Sequence, residues 1–574
     1  MADTDPNKPA VPLFNVQIDG EWYQFPKGTR MIEACKQVGR EVPHYCYHPK
    51  LTSPGNCRMC LVEMGMPPRP KPGEEAPVDA NGKPVIQWMP RPVIACANTV
   101  ADNMGIRTDS KLTQLCREGV MEFLLINHPL DCPICDQAGE CRLQEFSVEH
   151  GAGISRFREE KVKKPKNVDI GPRIRLDDER CIMCSRCIRF CEEIVDDRVL
   201  GFTERGSHTT LAVHPGKRLE NNYSLNTADI CPVGALTSND FRFQMRVWFL
   251  KETQSINVDC GTGVNVTIHS REGKVYRVTP RENNEVNSCW MPDSHRLSFH
   301  SIESPERLTD PMVWTGSGHR QARWKDAFAR VVESLAGLDP SSIAIVASAR
   351  MTNEELFLVK RLAGLLKLTA LDVVPRMGES DGYLIAADRN PNTNGARVVL
   401  GLESPGAHLA GIRGGVESGA IKALLVFGED LTEAAGWSEE ILKKPGFLLM
   451  VHTHANRTAS VAHVVLPSAV WAEKRGSMVN VAGRLQRLNA AVPVPGQARD
   501  DWEILRDLTL GLTGANGVHG IDDVFRSMAV SVPIFDGLSL QKIGSQGVAL
   551  LDTGVKIPLL ERERERRAKG MING

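Results

Sequence analysis

The sequence predicts a multidomain protein in which small α+β modules precede a larger α/β domain. Eleven of the sixteen cysteines lie in three groups within the first 231 residues, and no cysteine follows Cys289. Beyond residue 330, buried strands alternate with helices, a pattern typical of a parallel α/β sheet. The chemistry is therefore expected in the amino-terminal part of the chain.

Length and composition exclude several classes of protein. The 574 residues are enough for three or four domains, and the formal net charge of −1 gives no basic field for nucleic acid. No apolar run of about eighteen residues predicts a membrane span. The start resembles neither a secretory signal nor a transit peptide. Sixteen cysteines without a signal favour reduced, metal-binding thiols, and so predict a cytoplasmic compartment.

Residues 14–63 are predicted to form a small sheet domain. FNVQIDG and EWYQFPKGT are typical of two strands joined by a turn at Asp19-Gly20. Apolar residues at helical spacing from Met31 to Val38 predict a short helix, in which Cys35 is a packing residue.

The next segments are a loop and a helix. Residues 64–92 are rich in proline and glycine and predict a surface loop. SKLTQLCREGVMEFLL predicts a helix with Leu112, Leu115 and Cys116 on its inner face. A compact helical module is expected over residues 105–150.

The carboxy-terminal half gives α/β signals. Arg271–Lys274 is a predicted hairpin turn, and SSIAIVAS is a buried strand followed by a capping box from Thr352 to Glu355. Residues 421–427 and 447–452 predict two more buried strands. ERERERRAK is predicted to be a solvated charged helix or a frayed tail.

The first ligand set has the spacing expected around a two-iron cluster. Cys57 and Cys60 lie on one tight loop, Cys46 precedes it, and Cys96 lies well after it. The spacing is not the plant-type C-x4-C-x2-C, so spacing alone is only moderately specific. A four-cysteine zinc site is the alternative.

The second set, HPLDCPICDQAGEC, combines three cysteines with a histidine. The candidate ligands are His128, Cys132, Cys135 and Cys141. Replacing a thiolate by neutral imidazole removes negative charge and should raise the potential of the cluster. A zinc site with three cysteines and one histidine is the alternative.

The third set is a modified ferredoxin motif. CIMCSRCIRFC is a complete C-x2-C-x2-C-x3-C run, in which the fourth cysteine normally serves a second cluster. Only Cys231-Pro232 remains of a second run, whose other ligands would fall at Asn221, Ser224 and Thr227. One cluster is therefore predicted to be lost. The other is held by Cys181, Cys184, Cys187 and Cys231, and Cys191 is left over.

The motifs HYCYHP, NCRMCLVE, NHPLDCPICDQAGEC, CIMCSRCIRF and CPVGALT closely resemble those of the G subunit (75-kDa iron–sulfur subunit) family of bacterial NADH–quinone oxidoreductase, respiratory complex I. The resemblance covers essentially the whole chain. It implies a β-grasp 2Fe–2S ferredoxin domain (12–100), a helical 4Fe–4S module with one histidine and three cysteine ligands (101–150) and a 4Fe–4S ferredoxin-like domain (151–250). A molybdopterin-oxidoreductase-like α/β scaffold without catalytic metal (251–574) is implied behind them.

The resemblance also implies a function. Electrons would arrive from the flavin- and NADH-binding subunit and leave towards quinone-proximal iron–sulfur subunits. The chain would bind no substrate, have no catalytic residue of its own, and lie at the cytoplasmic face of the bacterial inner membrane, attached only through the complex. The expected cofactors are one 2Fe–2S cluster and two 4Fe–4S clusters.

The chain departs from some family members that bind a fourth cluster. In NVDCGTGV, Cys260 matches the second ligand, but Asn257 and Val264 stand at the first and third positions. The late ligand position is roughly Pro292, and Cys289 is displaced from it. We therefore expect no fourth cluster, with Cys260 and Cys289 as relics or packing residues.

The carboxy-terminal half resembles molybdenum oxidoreductases in HVVLPSAVWAEKRGSMVNVAGRLQR and ARDDWEIL, yet it offers no cysteine for the metal. The glycine run Gly411–Gly415 is a weak phosphate-loop signal. No molybdenum is expected, although the sequence leaves a serine-ligated molybdenum open.

Two other functions compete with electron transfer. A formate dehydrogenase or iron-only hydrogenase that shares the amino-terminal module would need further ligands. A pure assembly scaffold would not need three intact ligand sets. Metal analysis that finds iron without molybdenum would support electron transfer alone.

Overall fold

The computed structural model describes residues 11–70, 77–515 and 517–572. It divides into two compact units, Met1–Trp248 with Arg562–Gly574, and Phe249–Glu561. Part of the predicted proline-rich loop, residues 71–76, and most of the acidic start, residues 1–10, lie outside the described residues.

The first unit begins with a six-stranded sheet. Its strands and the helix between them are β1 (Leu13–Ile18), β2 (Glu21–Pro26), α1 (Met31–Gln37), β3 (Leu61–Met66), β4 (Gln87–Trp88), β5 (Val93–Ile94) and β6 (Met104–Arg107). The order is β2-β1-β6-β3-β4, with β5 also paired to β3. β1 and β2 form the predicted hairpin, with Asp19 and Gly20 at positive φ in the turn. Because β6 belongs to this sheet, the sheet extends past residue 100.

The rest of the first unit consists of short elements around the second and third ligand sets. They are α2 (Lys111–Leu125), α3 (Arg142–His150), β7 (Val168–Asp169), β8 (Ile174–Leu176), α4 (Arg186–Glu193), β9 (Leu200–Thr203), β10 (Thr210–Val213), α5 (Asn226–Asp229) and β11 (Leu236–Ser238). β9 pairs with β10, and β8 lies between β7 and β11.

The prediction that Leu112, Leu115 and Cys116 form the buried face of α2 is wrong. Leu115 is 56% exposed, and Leu112 and Cys116 are only half-buried. The buried face consists of Thr113, Arg117 and Met121 at intervals of four residues. The Ser110 capping box includes Thr113 and so fixes the rotation of the helix at its first turn.

The second unit begins with a three-stranded antiparallel sheet and continues into an α/β domain. Its first elements are β12 (Lys251–Ile256), β13 (Asn265–Arg271), β14 (Lys274–Pro280), α6 (Asp293–Arg296), β15 (Met312–Trp314), β16 (His319–Gln321), α7 (Trp324–Leu335), β17 (Ile343–Ser348), α8 (Asn353–Leu365), β18 (Ala370–Val374), α9 (Thr393–Leu400) and α10 (Leu409–Ser418). The predicted hairpin turn lies between β13 and β14.

The remaining elements are those of the α/β domain and α16, whose residues from Arg562 onward belong to the first unit. They are β19 (Ala423–Phe427), α11 (Leu431–Ala434), α12 (Glu439–Leu442), β20 (Phe447–His452), α13 (Arg457–Val461), β21 (Val464–Pro467), β22 (Gly476–Val479), β23 (Arg484–Leu488), α14 (Asp501–Thr513), α15 (Ile521–Ser531), β24 (Val548–Ala549) and α16 (Pro558–Ala568). A seven-stranded sheet has the order β16-β15-β21-β20-β19-β17-β18. The five strands from β21 to β18 are parallel, as predicted.

The apolar run of β17 is explained by burial on both faces of this sheet. Ile343, Ile345 and Ala347 pack into one core, and Ala344 and Val346 pack into the other. Continuous hydrophobic strands are therefore required, because helices cover both sides. The glycine run 411–415 lies inside α10, so it is not a phosphate-binding loop.

The charged helix α16 is not fully solvated, which corrects the sequence-based prediction. Glu563 is 4% exposed and lies 3.7 Å from the ammonium of Lys50, which is 2% exposed. Arg566 donates to the Lys50 carbonyl oxygen at 3.2 Å and pairs with Glu193. The end of this helix therefore packs in the first unit, beside the loop that precedes Cys57. No helix in the described part of the chain has both the length and the apolar character needed to cross a membrane.

Candidate iron–sulfur ligand sites

The structure brings the four cysteines of the first set together. The Cys46 thiol is in hydrogen-bond contact with Cys57 and Cys96, and Cys96 is in contact with Cys60. Cys46, Cys60 and Cys96 are at most 1% exposed, and Cys57 is half-buried. The Cys46 hydrogen bond and burial raise the pKa of Cys57. Four such thiols can ionise together only if a cationic centre compensates them, which fits an iron–sulfur cluster.

Backbone geometry explains how the near and far ligands of this set meet. Cys57 and Cys60 lie on the loop before β3, and Cys96 follows β5, the partner of β3. The Ala95 amide donates to the Cys60 carbonyl oxygen at 2.9 Å. Gly55 has φ +62°, and a Cβ there would lie 2.6 Å from Ile94 Cδ1, so the loop requires glycine at this position.

The second set is nearer the surface. Cys132 is exposed, whereas Cys135 and Cys141 are 8% and 9% exposed. Burial raises the pKa of Cys135 and Cys141, and the neighbouring thiols of this set raise it further. The structure therefore places these three thiols close to one another.

His128, the predicted fourth ligand, follows α2 and is half-buried. Burial lowers its pKa to about 4, so the imidazole is neutral near pH 7, the form that binds metal. Its neighbours include Asp131 and Arg180. The ligand role of His128 stays a prediction.

The third set surrounds a cavity. Cys181, Cys184, Cys187 and Cys231 all line it. Its other walls are largely apolar and include Phe202 and Leu211. Met183 and Ser185 have positive φ, so they turn the backbone between the ligands. A cavity walled by four thiols and apolar groups fits a four-iron cluster shielded from water.

Cys191 lies outside this cavity lining within the described part of the chain. It is fully buried on α4, and burial raises its pKa to about 12. Asn221 donates to an Asp197 carboxylate oxygen at 2.9 Å, and the Asp197 amide donates to the Cys191 carbonyl oxygen. The Thr227 hydroxyl donates to the carbonyl oxygen of Ser224 at 2.7 Å. Hydrogen-bonded polar groups therefore stand where ligands of a second ferredoxin cluster would be.

The three sets contact one another within the first unit. A Cβ at Gly234, in the loop after Cys231, would overlap Cys135 Sγ, so the third and second sets meet there. Tyr45 lies beside both Cys57 and Cys141, and its hydroxyl donates to Met121 Sδ at 3.2 Å. The ligand sets therefore form one contiguous group.

The fourth-cluster region of the second unit has a different arrangement. Cys260 Sγ lies 3.9 Å from His295 Nδ1, and both side chains are buried. Although burial opposes it, this contact lowers the pKa of Cys260 and raises that of His295. Asn257, at the first ligand position, donates to Asp259 at 2.7 Å and to the His295 carbonyl oxygen at 3.2 Å. Cys260 thus packs against a histidine.

Sequence reasoning missed an acidic cluster in the second unit. Oxygen atoms of Glu355, Asp500 and Asp501 lie within 4.8 Å of one another. The Lys474 ammonium is 3.0 Å from Glu355 and 3.3 Å from Asp501. Because Lys474 already supplies the cation, this cluster is explained as a buried ion network. No motif spacing signals it, since Glu355 lies more than a hundred residues before the other members.

Models of known protein families match this chain in the same order as the predicted modules. Family models match residues 12–111 (2Fe-2S iron-sulfur cluster binding domain), 117–156 (NADH-ubiquinone oxidoreductase-G iron-sulfur binding region) and 171–237 (NADH-quinone oxidoreductase subunit 3, ferredoxin-like domain). Two more match residues 250–300 (NADH-ubiquinone oxidoreductase NDSU1/NuoG-like, 4Fe-4S domain) and 392–509 (Molybdopterin oxidoreductase).

A relationship over most of the chain decides the family. The mitochondrial NADH-ubiquinone oxidoreductase 78 kDa subunit of Neurospora crassa is 30% identical over an alignment that covers 85% of this chain and 79% of that protein. This chain belongs to the family of the complex I iron–sulfur G subunit. The predicted resemblance and the multidomain fold class are therefore confirmed.

Other members of this family match over a shorter region. The G subunit of NADH-quinone oxidoreductase from Rickettsia felis is 39% identical over 350 residues, 61% of this chain and 49% of that protein. The match thus spans about half the length of these bacterial relatives. The NADH dehydrogenase [ubiquinone] iron-sulfur protein 1 of Solanum tuberosum is 37% identical over 67% of this chain and 47% of that protein.

Two solved structures show weaker similarity. An NAD+-reducing [NiFe]-hydrogenase in the H2-reduced state is 27% identical, with a TM-score of 0.33, over 41% of this chain and 91% of that chain. Acetylene hydratase from Pelobacter acetylenicus is 9% identical, with a TM-score of 0.39, over 52% of this chain and 74% of that chain.

Proposed function

We propose that this chain carries single electrons through three iron–sulfur clusters, as the iron–sulfur subunit of an NADH–quinone oxidoreductase. The observation that carries this proposal is the third set, in which four cysteines line one largely apolar cavity. Gly234 and Arg186, which lie beside this set, also lie beside Cys135 of the second set and Cys46 of the first. Contiguous redox sites within one unit are suited to electron transfer from one cluster to the next.

The proposed cofactors follow from the ligand sets. Cys46, Cys57, Cys60 and Cys96 would hold a 2Fe–2S cluster. His128, Cys132, Cys135 and Cys141 would hold one 4Fe–4S cluster, and Cys181, Cys184, Cys187 and Cys231 would hold another. Bound clusters of this kind supply one-electron redox chemistry. The protein would position the ligands, exclude water from the buried sets and fix the charge around them.

We propose no fourth cluster and no molybdenum. Asn257 and Val264 offer no thiol at two of the four ligand positions, and Cys260 contacts His295 instead. The carboxy-terminal domain would act as a scaffold that keeps a fold without its metal site.

The proposed partners and location follow from family membership. The chain would receive electrons from a flavin- and NADH-binding subunit and pass them to quinone-proximal iron–sulfur subunits. It would lie in the peripheral arm, at the cytoplasmic face of the bacterial membrane, and reach the membrane only through the complex.

Metal analysis of the purified complex, combined with electron paramagnetic resonance of its clusters, tests the proposal. We expect roughly ten irons per chain, from one two-iron and two four-iron clusters. Stoichiometric zinc would contradict the iron–sulfur assignment, and about fourteen irons would mean that a fourth cluster is present. Molybdenum in the chain would favour the formate dehydrogenase alternative.

A further inference from the structure

One arginine joins the backbones of two ligand sets. Arg186, at the start of α4, donates from Nη1 to the Ile230 carbonyl oxygen at 3.1 Å and from Nη2 to the Tyr47 carbonyl oxygen. Ile230 immediately precedes Cys231, and Tyr47 immediately follows Cys46. A single guanidinium therefore contacts the residue next to a ligand in the third set and the residue next to a ligand in the first set.

The charge of Arg186 faces thiols. The groups that act on its guanidinium include Cys184 and Cys231 of the third set, Cys46 of the first, and the neighbouring cation Arg189. Among the described residues, no carboxylate lies in ion-pair contact with it. Arg186 is half-buried, and a partly desolvated charge without an anionic partner is costly, so this arginine is expected to be balanced by the ligand sets themselves.

A hydrogen-bond donor of Arg186 also lacks a protein acceptor. Its Nε is buried and has no hydrogen-bond partner, while the side chain lines the cavity of the third set. Buried N–H groups are nearly always paired in folded proteins. A negatively charged sulfur of a cluster in that cavity would be a suitable acceptor.

We propose that Arg186 is a positioning residue that sets the reduction potentials of the first and third clusters together. The inference rests on the proposed function, because it requires clusters at both sets. Each cluster becomes more negative on reduction, so a fixed cation and its hydrogen bonds favour the reduced form. One guanidinium that acts on both sites would shift both potentials in the same direction.

Two other arginines lie beside the ligand sets. Arg189 donates to the Cys46 carbonyl oxygen at 2.5 Å and to the Cys184 carbonyl oxygen at 3.4 Å, but Glu193 lies near its charge. Arg30 donates to the Cys96 carbonyl oxygen at 3.1 Å and so contacts a ligand of the first set alone. Arg30→Gln is therefore the matched control for Arg186→Gln.

The experiment is a potentiometric titration of the intact complex, followed by electron paramagnetic resonance of each cluster. In Arg186→Gln, we expect the one-electron reduction equilibria of the first and third clusters to shift at least tenfold towards the oxidised form, which is about 59 mV. The second cluster should stay unchanged and serve as the internal reference. In Arg30→Gln, only the first cluster should shift.

A conservative variant separates charge from folding. Arg186→Lys keeps the positive charge, but a lysine ammonium lacks the planar guanidinium that donates to the carbonyl oxygens of both Ile230 and Tyr47. We expect both equilibria to stay within about threefold of the wild-type values, even if Arg186→Gln fails to assemble. Unchanged potentials in an iron-replete Arg186→Gln would overturn the inference, as would an equal shift of all three clusters or a tenfold shift in Arg186→Lys. Absence of the first and third signals from the wild-type complex would instead refute the proposed function.

Discussion

Replacing Cys191 by alanine should leave all three clusters in place, although this cysteine completes a ferredoxin-like run of four. Cys191 lies one turn after Cys187 on α4, yet it does not line the cavity within the described residues. Its surroundings are Asp197 and the polar groups that stand in for the lost second cluster. We therefore expect only a packing effect.

The size of that effect can be worked out from burial. Cys191 is 0% exposed, so the variant removes one buried atom of about the size of a methylene. Its transfer contributes about 0.8 kcal/mol. A residual void of roughly 20 Å³ adds about 0.5 kcal/mol. The total, about 1.3 kcal/mol, should lower the apparent Tm of the first unit by roughly 3–5 °C.

Cys231→Ala is the matched variant. It removes a wall of the cavity, so we expect the third cluster to be lost and the iron content to fall by about four atoms per chain. Iron analysis, electron paramagnetic resonance and a thermal melt of both variants provide the comparison. Loss of the four-iron signal of the third set in Cys191→Ala, or its survival in Cys231→Ala, would refute the ligand assignment.

Three further predictions address other parts of the molecule. His128→Ala should make the second cluster labile, whereas His128→Cys should retain it at a lower midpoint potential, because a thiolate adds negative charge; three unchanged signals in both titrations would show that His128 is not a ligand. Glu563→Gln should remove the carboxylate beside the buried Lys50 ammonium and destabilise the first unit by about 1–3 kcal/mol in denaturant unfolding, whereas the exposed control Glu565→Gln should change little. Burial raises the pKa of Glu354 from its ordinary 4.5 to about 7, so between these pH values the folded state keeps a proton that the unfolded state loses. The free energy of unfolding of the second unit should therefore fall by about 3 kcal/mol as pH rises from 4.5 to 7. The same pH dependence in a Glu354→Gln variant would contradict this.

Local signals predicted much of the fold. The Asp19-Gly20 turn indicated the first hairpin, and the capping box at Thr352 indicated the start of α8. The rotation of α2 could not be predicted from its apolar residues, because a tertiary contact from Tyr45 and the Thr113 cap select the buried face. The burial of Glu563 was equally inaccessible, since its partner lies at Lys50, far away in the chain.

Spacing within a motif predicted the near ligands, and the structure brings the cysteines of each set together. Placement of Cys231 in the third set required the ferredoxin comparison, because it lies far beyond the other three ligands. Arg186 was missed, although it stands inside CIMCSRCIRFC. Sequence alone does not show that its side chain extends to Tyr47, which is 139 positions earlier.

The contact between Arg566 and Lys50 has a consequence for synthesis. The two residues are 516 positions apart, so at about 5–20 residues per second the ribosome makes the second roughly half a minute to two minutes after the first. During that interval, the loop before Cys57 lacks its late-arriving arginine and glutamate partners. The first thiols of the nascent chain are therefore made while the neighbouring loop still lacks its contacts with Glu563 and Arg566. These contacts can form only after the entire second unit has been translated.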